Sequence, residues 1–82
     1  MVTVAYSSHF EKIIWKIQDA SLKERVKAQI IRIIDDPETG KPMRWSRKNT
    51  REVDIPPFRL SYCCDKKNDT LVFLTIYHKD DQ

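Results

Sequence analysis

Two alternating runs meet at Pro56-Pro57, and this junction limits the available folds more than any other feature of the chain. Before it, Arg51-Glu52-Val53-Asp54-Ile55 alternates charged with β-branched residues. After it, Phe58-Arg59-Leu60-Ser61-Tyr62 alternates large apolar with polar residues. Successive side chains of a strand point to opposite faces, so a period of two marks a strand with one buried face. Proline cannot donate to a ladder, so the pair breaks the run and forces a tight turn between two strands. Val53 and Ile55, with Phe58, Leu60 and Tyr62, then face a core. Glu52, Asp54, Arg59, Ser61 and Cys63 are left on the open face.

The remaining elements follow from local pattern. Val2-Thr3-Val4-Ala5-Tyr6 is a short β-branched strand. Ser8-x-x-Glu11 has the form of a capping box and opens a helix with the stripe Phe10, Ile13, Ile14 and Ile17. Ser21-x-x-Glu24 has the same form and opens a second helix with Leu22, Val26, Ile30, Ile33 and Ile34 on its apolar face. That helix ends at Asp35-Asp36-Pro37, because proline disfavours helix in the residue before it. A short link makes the two helices an antiparallel hairpin. Glu38-Thr39-Gly40-Lys41-Pro42 reads as a loop around the single glycine, and residues 43–50 as irregular and basic. Leu71 to Tyr77 is a last strand with Val72, Leu74 and Ile76 as one side-chain set and Phe73, Thr75 and Tyr77 as the other. The expected fold is α+β in the order β-α-α-β-β-β, a helix hairpin on a four-stranded sheet whose last three strands form an antiparallel meander.

Eighty-two residues make a single domain spanning 1–82, with a modest core worth roughly 3–5 kcal/mol of stability. The net charge of +3 is mild, so its distribution is more informative than its sum. Lys41, Arg44, Arg47, Lys48 and Arg51 lie within eleven residues that contain no acid, the footprint of a phosphate-rich partner. Cys63 and Cys64 are adjacent, so on a strand they point apart. They have no metal-ligand spacing and read as small packing residues in a reducing cytoplasm. The first residues have no basic n-region and no long apolar run, so no signal peptide is expected, and no stretch reaches membrane-spanning length.

Two readings of the open face compete. Arg59 among Glu52 and Asp54 fits a set of cross-strand ion pairs on a solvated surface. It also fits a phosphate site, with Arg59 and the basic segment holding a backbone while Glu52, Asp54 or His78 moves protons. A histidine at 78 is a residue type suited to proton transfer, but strict alternation puts it with Ile76 on the inward face unless the strand twists or bulges. His9 reads as a surface residue. Trp45 either stacks on a base or plugs the edge of the core, the latter being favoured. Trp15 lies off the apolar stripe, and so either marks a partner groove or widens the buried face. No P-loop, dinucleotide fingerprint, zinc site or serine triad is present.

The order of elements and four segments resemble the RelE/ParE toxin superfamily over nearly the whole chain. The segments are Val4-Ala5-Tyr6-Ser7, the helix hairpin, Gly40-Lys41-Pro42-Met43, and Asp54-Ile55-Pro56-Pro57-Phe58-Arg59-Leu60-Ser61-Tyr62. The last of these matches the family's turn followed by aromatic-Arg-aliphatic-x-Tyr. The resemblance implies the toxin of a toxin–antitoxin pair, with a small cognate antitoxin as partner. RelE-like and YoeB-like members are ribosome-dependent mRNA endonucleases that cut in the A site by attack of the ribose 2′-hydroxyl, without metal or cofactor. Arg59 would take the phosphate-stabilising role. The ending Tyr77-His78-Lys79 resembles the YoeB-like ending with a histidine general acid, whereas RelE-like members would nominate Lys79. Lys41, Arg44, Arg47, Lys48, Arg51 and Tyr77 would contact RNA. The chain carries Glu52 and Asp54 where RelE-like enzymes have lysines, so one of these acids would act as general base. It also ends at Gln82, without the terminal aromatic of many members. The alternative implied by the same resemblance is a ParE-like inhibitor of DNA gyrase, or a toxin reduced to binding its antitoxin.

Overall fold

The computed structural model describes residues 3–42 and 49–81. In chain order these form β1 (Thr3–Tyr6), α1 (Ser8–Lys16), α2 (Ala20–Asp35), β2 (Lys41–Pro42), β3 (Thr50–Ile55), β4 (Phe58–Asp65) and β5 (Thr70–His78), followed by one 3-10 turn, Lys79–Asp81. The strands make one mixed sheet in the order β1-β5-β4-β3-β2. β1 runs parallel to β5, and the other pairs are antiparallel. The helices cover one face. Phe10 of α1 and Val26 and Ile33 of α2 join Val53, Ile55, Leu60, Tyr62, Cys64, Leu71, Phe73 and Ile76 in the core.

The hairpin at Pro56-Pro57 forms as its alternation requires, with Ile55 opposite Phe58, Val53 opposite Leu60 and Asp54 opposite Arg59. The peptide bond between the two prolines is cis. The sheet has five strands rather than four. Lys41–Pro42, expected as loop, pairs with Glu52 and Arg51 as the edge strand β2. Long-range contacts hold it there. The Tyr62 hydroxyl accepts the Gly40 N–H at 2.9 Å and donates to the Pro37 carbonyl at 2.7 Å. The Arg51 guanidinium donates to the Gly40 carbonyl at 2.7 Å. A Cβ at Gly40 would lie 2.7 Å from the Tyr62 oxygen and 2.9 Å from the Glu52 carbonyl, so only glycine permits this approach.

Both helix starts differ from the capping boxes read in the sequence. Ser7, not Ser8, caps α1 and accepts the Phe10 N–H at 3.0 Å. Asp19 caps α2, accepting from Ser21 at 2.9 Å and Leu22 at 3.3 Å. Ser and Asp are both strong caps. The choice of Ser7 is made by the sheet, because its hydroxyl donates to the Leu74 carbonyl at 2.8 Å and its N–H to the Phe73 carbonyl at 2.9 Å. Ile34, expected on the apolar face of α2, is exposed.

Leu74 marks a β-bulge. Ser61 pairs with Thr75 and Tyr62 with Phe73, so Leu74 has no opposite number in β4. An extra residue shifts the phase of alternation. Leu71 and Phe73 therefore share the buried face with Ile76, while Val72, Thr75 and Tyr77 share the open one. This corrects the two side-chain sets expected for the strand, which assumed unbroken alternation.

Candidate functional site

The open face at the β3–β4 hairpin gathers five of the side chains singled out in the sequence. Asp54 and Arg59 are cross-strand partners, and Tyr77 lies opposite Arg59 on the other side. Arg59 donates through Nε to Asp54 Oδ1 at 3.2 Å and through Nη1 to Glu52 Oε1 at 3.4 Å. The Tyr77 hydroxyl donates to Glu52 Oε2 at 2.6 Å. Lys79 Nζ stands 3.6 Å from Asp54 Oδ2, so the chain of contacts runs Tyr77–Glu52–Arg59–Asp54–Lys79. The cluster is graded in exposure. The Glu52 and Arg59 side chains are 21% and 29% exposed, whereas Asp54 is 53% exposed.

The electrostatics follow from these contacts. Partial burial works against the charge on Arg59, but the Tyr77 oxygen and the Glu52 and Asp54 carboxylates outweigh it and hold its pKa above the ordinary value. Burial, then the hydrogen bond and charge of Glu52, push the Tyr77 phenol above its ordinary value, so it stays protonated and donates. Cys63, also on this face, is raised by burial and by Asp65 and Cys64, which leaves it a poor nucleophile at neutral pH.

The other candidates lie elsewhere. His78 pairs with Phe58 on the side of Ile76, its ring edge-on to Phe58 with centroids 5.4 Å apart. Its Nδ1 accepts the Asp80 N–H at 3.2 Å. The bulge brings Tyr77 to the open face and, by the same shift of phase, keeps His78 off it. Arg51 is turned to the Glu38–Gly40 turn, where it braces β2. Lys41 lines a cleft of about 220 Å³ at the β3 edge, together with Glu52, Asp54, Arg59 and, from α2, Gln29 and Arg32. Sequence reasoning missed Gln29 and Arg32. Their only signal was an i, i+3 polar pair on α2, which does not say which strand the helix lies beside. Arg44, Arg47, Lys48 and Trp45 lie outside the described residues.

A second concavity lies between the helices. Tyr6, Phe10, Ile14, Trp15, Val26 and Ile30 line an apolar groove of about 390 Å³ with Lys23, Lys27 and Glu11 among its other lining residues. Trp15 is 86% exposed there, so it does not widen the buried face. No helix among the described residues is long and apolar enough to cross a membrane.

Comparison with known proteins places this architecture. None of the curated protein sequences matches the chain. Among solved structures, RelE in the intact Escherichia coli RelBE toxin–antitoxin complex superposes with a TM-score of 0.81 at 10% identity, over 95% of this chain and 96% of that one. A YoeB/ParE toxin from Agrobacterium tumefaciens gives 0.80 at 14% identity, over 94% and 98%. The Mycobacterium tuberculosis RelBE2 toxin–antitoxin complex gives 0.70 at 23% identity, over 95% and 98%. At these identities the likeness is one of fold. Family membership comes from the sequence itself, since residues 2–82 match the family model for the ParE toxin of the type II toxin–antitoxin system parDE. With that match spanning almost the whole chain, the protein belongs to the family of ParE toxins of type II toxin–antitoxin systems.

Proposed function

We propose that this toxin is an endonuclease that cuts mRNA in the ribosomal A site by attack of the ribose 2′-hydroxyl on the adjacent phosphate. The observation that carries the reading is the set Glu52, Arg59 and Tyr77 on the open sheet face, with Lys79 joined to it through Asp54. The reaction needs a base, a cationic clamp and an acid, and side chains of this set supply all three. Glu52 takes the 2′-hydroxyl proton, and the 2′ oxygen bonds to phosphorus. Arg59 stabilises the charge that builds on the non-bridging oxygens. The bond from phosphorus to the 5′ oxygen breaks, and Lys79 gives the leaving oxygen its proton. The products are a 2′,3′-cyclic phosphate and a 5′-hydroxyl end. Lys79 is preferred to His78 as the acid because its ammonium reaches the cluster, while the imidazole faces Phe58 and Asp80. Neither Glu52 nor Asp54 can clamp phosphate as the family's lysines do, so the clamp rests on Arg59 with Lys79. The basic residues Lys41, Arg44, Arg47 and Lys48 would lie along the RNA, whereas Arg51 is committed to the Glu38–Gly40 turn.

The partner on this reading is a small cognate antitoxin in the cytoplasm, as RelB accompanies RelE in the superposed complex. An amphipathic antitoxin helix with acids on its flank suits the apolar groove bounded by Lys23 and Lys27.

Induced expression followed by mapping of mRNA ends tests the activity. Growth arrest with cuts confined to ribosome-bound message supports it. Arg59→Ala and Glu52→Gln should each lower cleavage by about 10²–10³-fold while the protein stays folded. Growth arrest with intact RNA, or cutting of naked RNA, rejects it. A second reading, a non-enzymatic inhibitor of DNA gyrase or an antitoxin-binding remnant, is favoured by one observation: the charges of Glu52 and Asp54 offset those of Arg59 and Lys79. It predicts intact RNA, with blocked replication and DNA damage in the gyrase case.

A further inference from the structure

Asp54 stands between the two cations of the cluster. One carboxylate oxygen accepts Arg59 Nε at 3.2 Å, and the other faces Lys79 Nζ at 3.6 Å. A guanidinium on one oxygen and an ammonium on the other is the arrangement that two non-bridging oxygens of a phosphodiester would meet. Glu52 is placed differently. It is the more buried carboxylate, and both its oxygens are engaged from inside the sheet by Arg59 and Tyr77. Asp54 is more than half exposed, and ion pairs that exposed contribute little and are readily exchanged.

We infer that Asp54 is an intramolecular occupant of the phosphate subsite: it fills the Arg59–Lys79 pair in the free toxin and is displaced by an incoming phosphate. The inference rests on the nuclease reading for its biological sense, but not for its test. Glu52 keeps Arg59 aimed when Asp54 leaves, so the site opens without losing its geometry. The released carboxylate repels the phosphate that replaced it. Asp54 therefore weakens substrate binding without taking part in proton transfer. A toxin made alone would hold RNA loosely, and would need the extra contacts of a large assembly to overcome the internal competitor.

The test uses inorganic phosphate as the probe, titrated into ¹⁵N-labelled full-length toxin while the backbone amide resonances of β3 and β4 are followed. Asp54→Asn should bind phosphate about five- to tenfold more tightly than wild type, the effect of one unit charge at about 4 Å under full water screening, as suits a carboxylate this exposed. Glu24→Gln, the same charge change on an exposed α2 side chain paired with Lys27, should leave the affinity near wild type. Two results overturn the inference: Asp54→Asn binding phosphate no better than Glu24→Gln, or its gain surviving in an Arg59→Ala background. Cleavage gives a separate arm. If wild type cuts RNA, Asp54→Asn should lower KM. A loss of turnover of about a hundredfold or more would make Asp54 the base and overturn the inference. If wild type cuts nothing while Asp54→Asn still tightens phosphate, the nuclease reading fails and the internal occupant stands.

Discussion

Tyr62 does two things with one side chain. Its ring fills the centre of the core beside Phe73, with centroids 6.1 Å apart, while its hydroxyl reaches past the core to the Pro37 carbonyl and the Gly40 N–H. Burial raises the phenol's pKa, so it remains a donor to Pro37 throughout the physiological range. Tyr62→Phe keeps the ring and strips both bonds, leaving a buried N–H without its partner. Urea denaturation should register a loss of about 1–3 kcal/mol. The alternation around Arg59 was enough to give Tyr62 an inward face, but not to predict what its oxygen reaches. Gly40 is 22 positions away, and nothing local encodes that meeting.

At the scale of elements, the bulge in β5 and the start of α1 are one device. The Ser7 side chain caps the helix and simultaneously bonds the bulged carbonyl of Leu74. That bulge shifts which β5 residues reach the open face, Tyr77 among them. Ser7→Ala should cost about 1–2 kcal/mol by thermal unfolding, above the usual loss for a cap alone if the Leu74 bond adds to it. Faster amide exchange at Phe10 should accompany it, and Ser7→Thr should recover much of the loss. Both helices were legible from their apolar stripes, because the helical period is a local property. Their first residues were not. Ser7, Ser8, Asp19 and Ser21 are all competent caps, and the choice at the first helix depends on which side chain also reaches the sheet.

The whole molecule carries its active-site candidates and its apolar groove on different surfaces, the one at the β3–β4 hairpin and the other between the helices. Trp15 belongs to the groove and supports no core, so Trp15→Ala should change stability by no more than about 0.5 kcal/mol. The same substitution should weaken antitoxin binding by about 2 kcal/mol, measured by calorimetry. Acid stability is also a property of the assembled molecule. The hydrogen bond and charge of Lys66 hold Glu38 below the usual carboxylate range, and hydrogen bonds from Asn68 do the same for Asp65. A carboxylate depressed in the folded state stabilises it above the unfolded pKa, and that contribution fades as pH falls through the folded value. Unfolding should therefore become easier from about pH 4 downward. The combined variant Glu38→Gln with Asp65→Asn should flatten that limb of the pH profile, with little effect on the stabilising charge network around Arg59.

Sequence alone determined the elements whose signal is periodic or abrupt. These were two amphipathic helices, a hairpin turned at Pro56-Pro57, an alternating β4 with Arg59 on its open face, and the likeness to the toxin superfamily that the family match bears out. Periodicity also put Glu52, Asp54 and Arg59 on one surface, because two-residue alternation carries across a tight turn. Tertiary structure decided what has no local signature. A two-residue strand, Lys41–Pro42, exists only because Gly40 fits against Tyr62 and Glu52. The bulge at Leu74, whose carbonyl is bonded by Ser7 from the far end of the chain, fixes the side of the sheet on which Tyr77 and His78 emerge. The order of partners around Arg59 likewise came from contacts between strands distant in sequence, where packing selects among side chains that local propensity leaves equivalent.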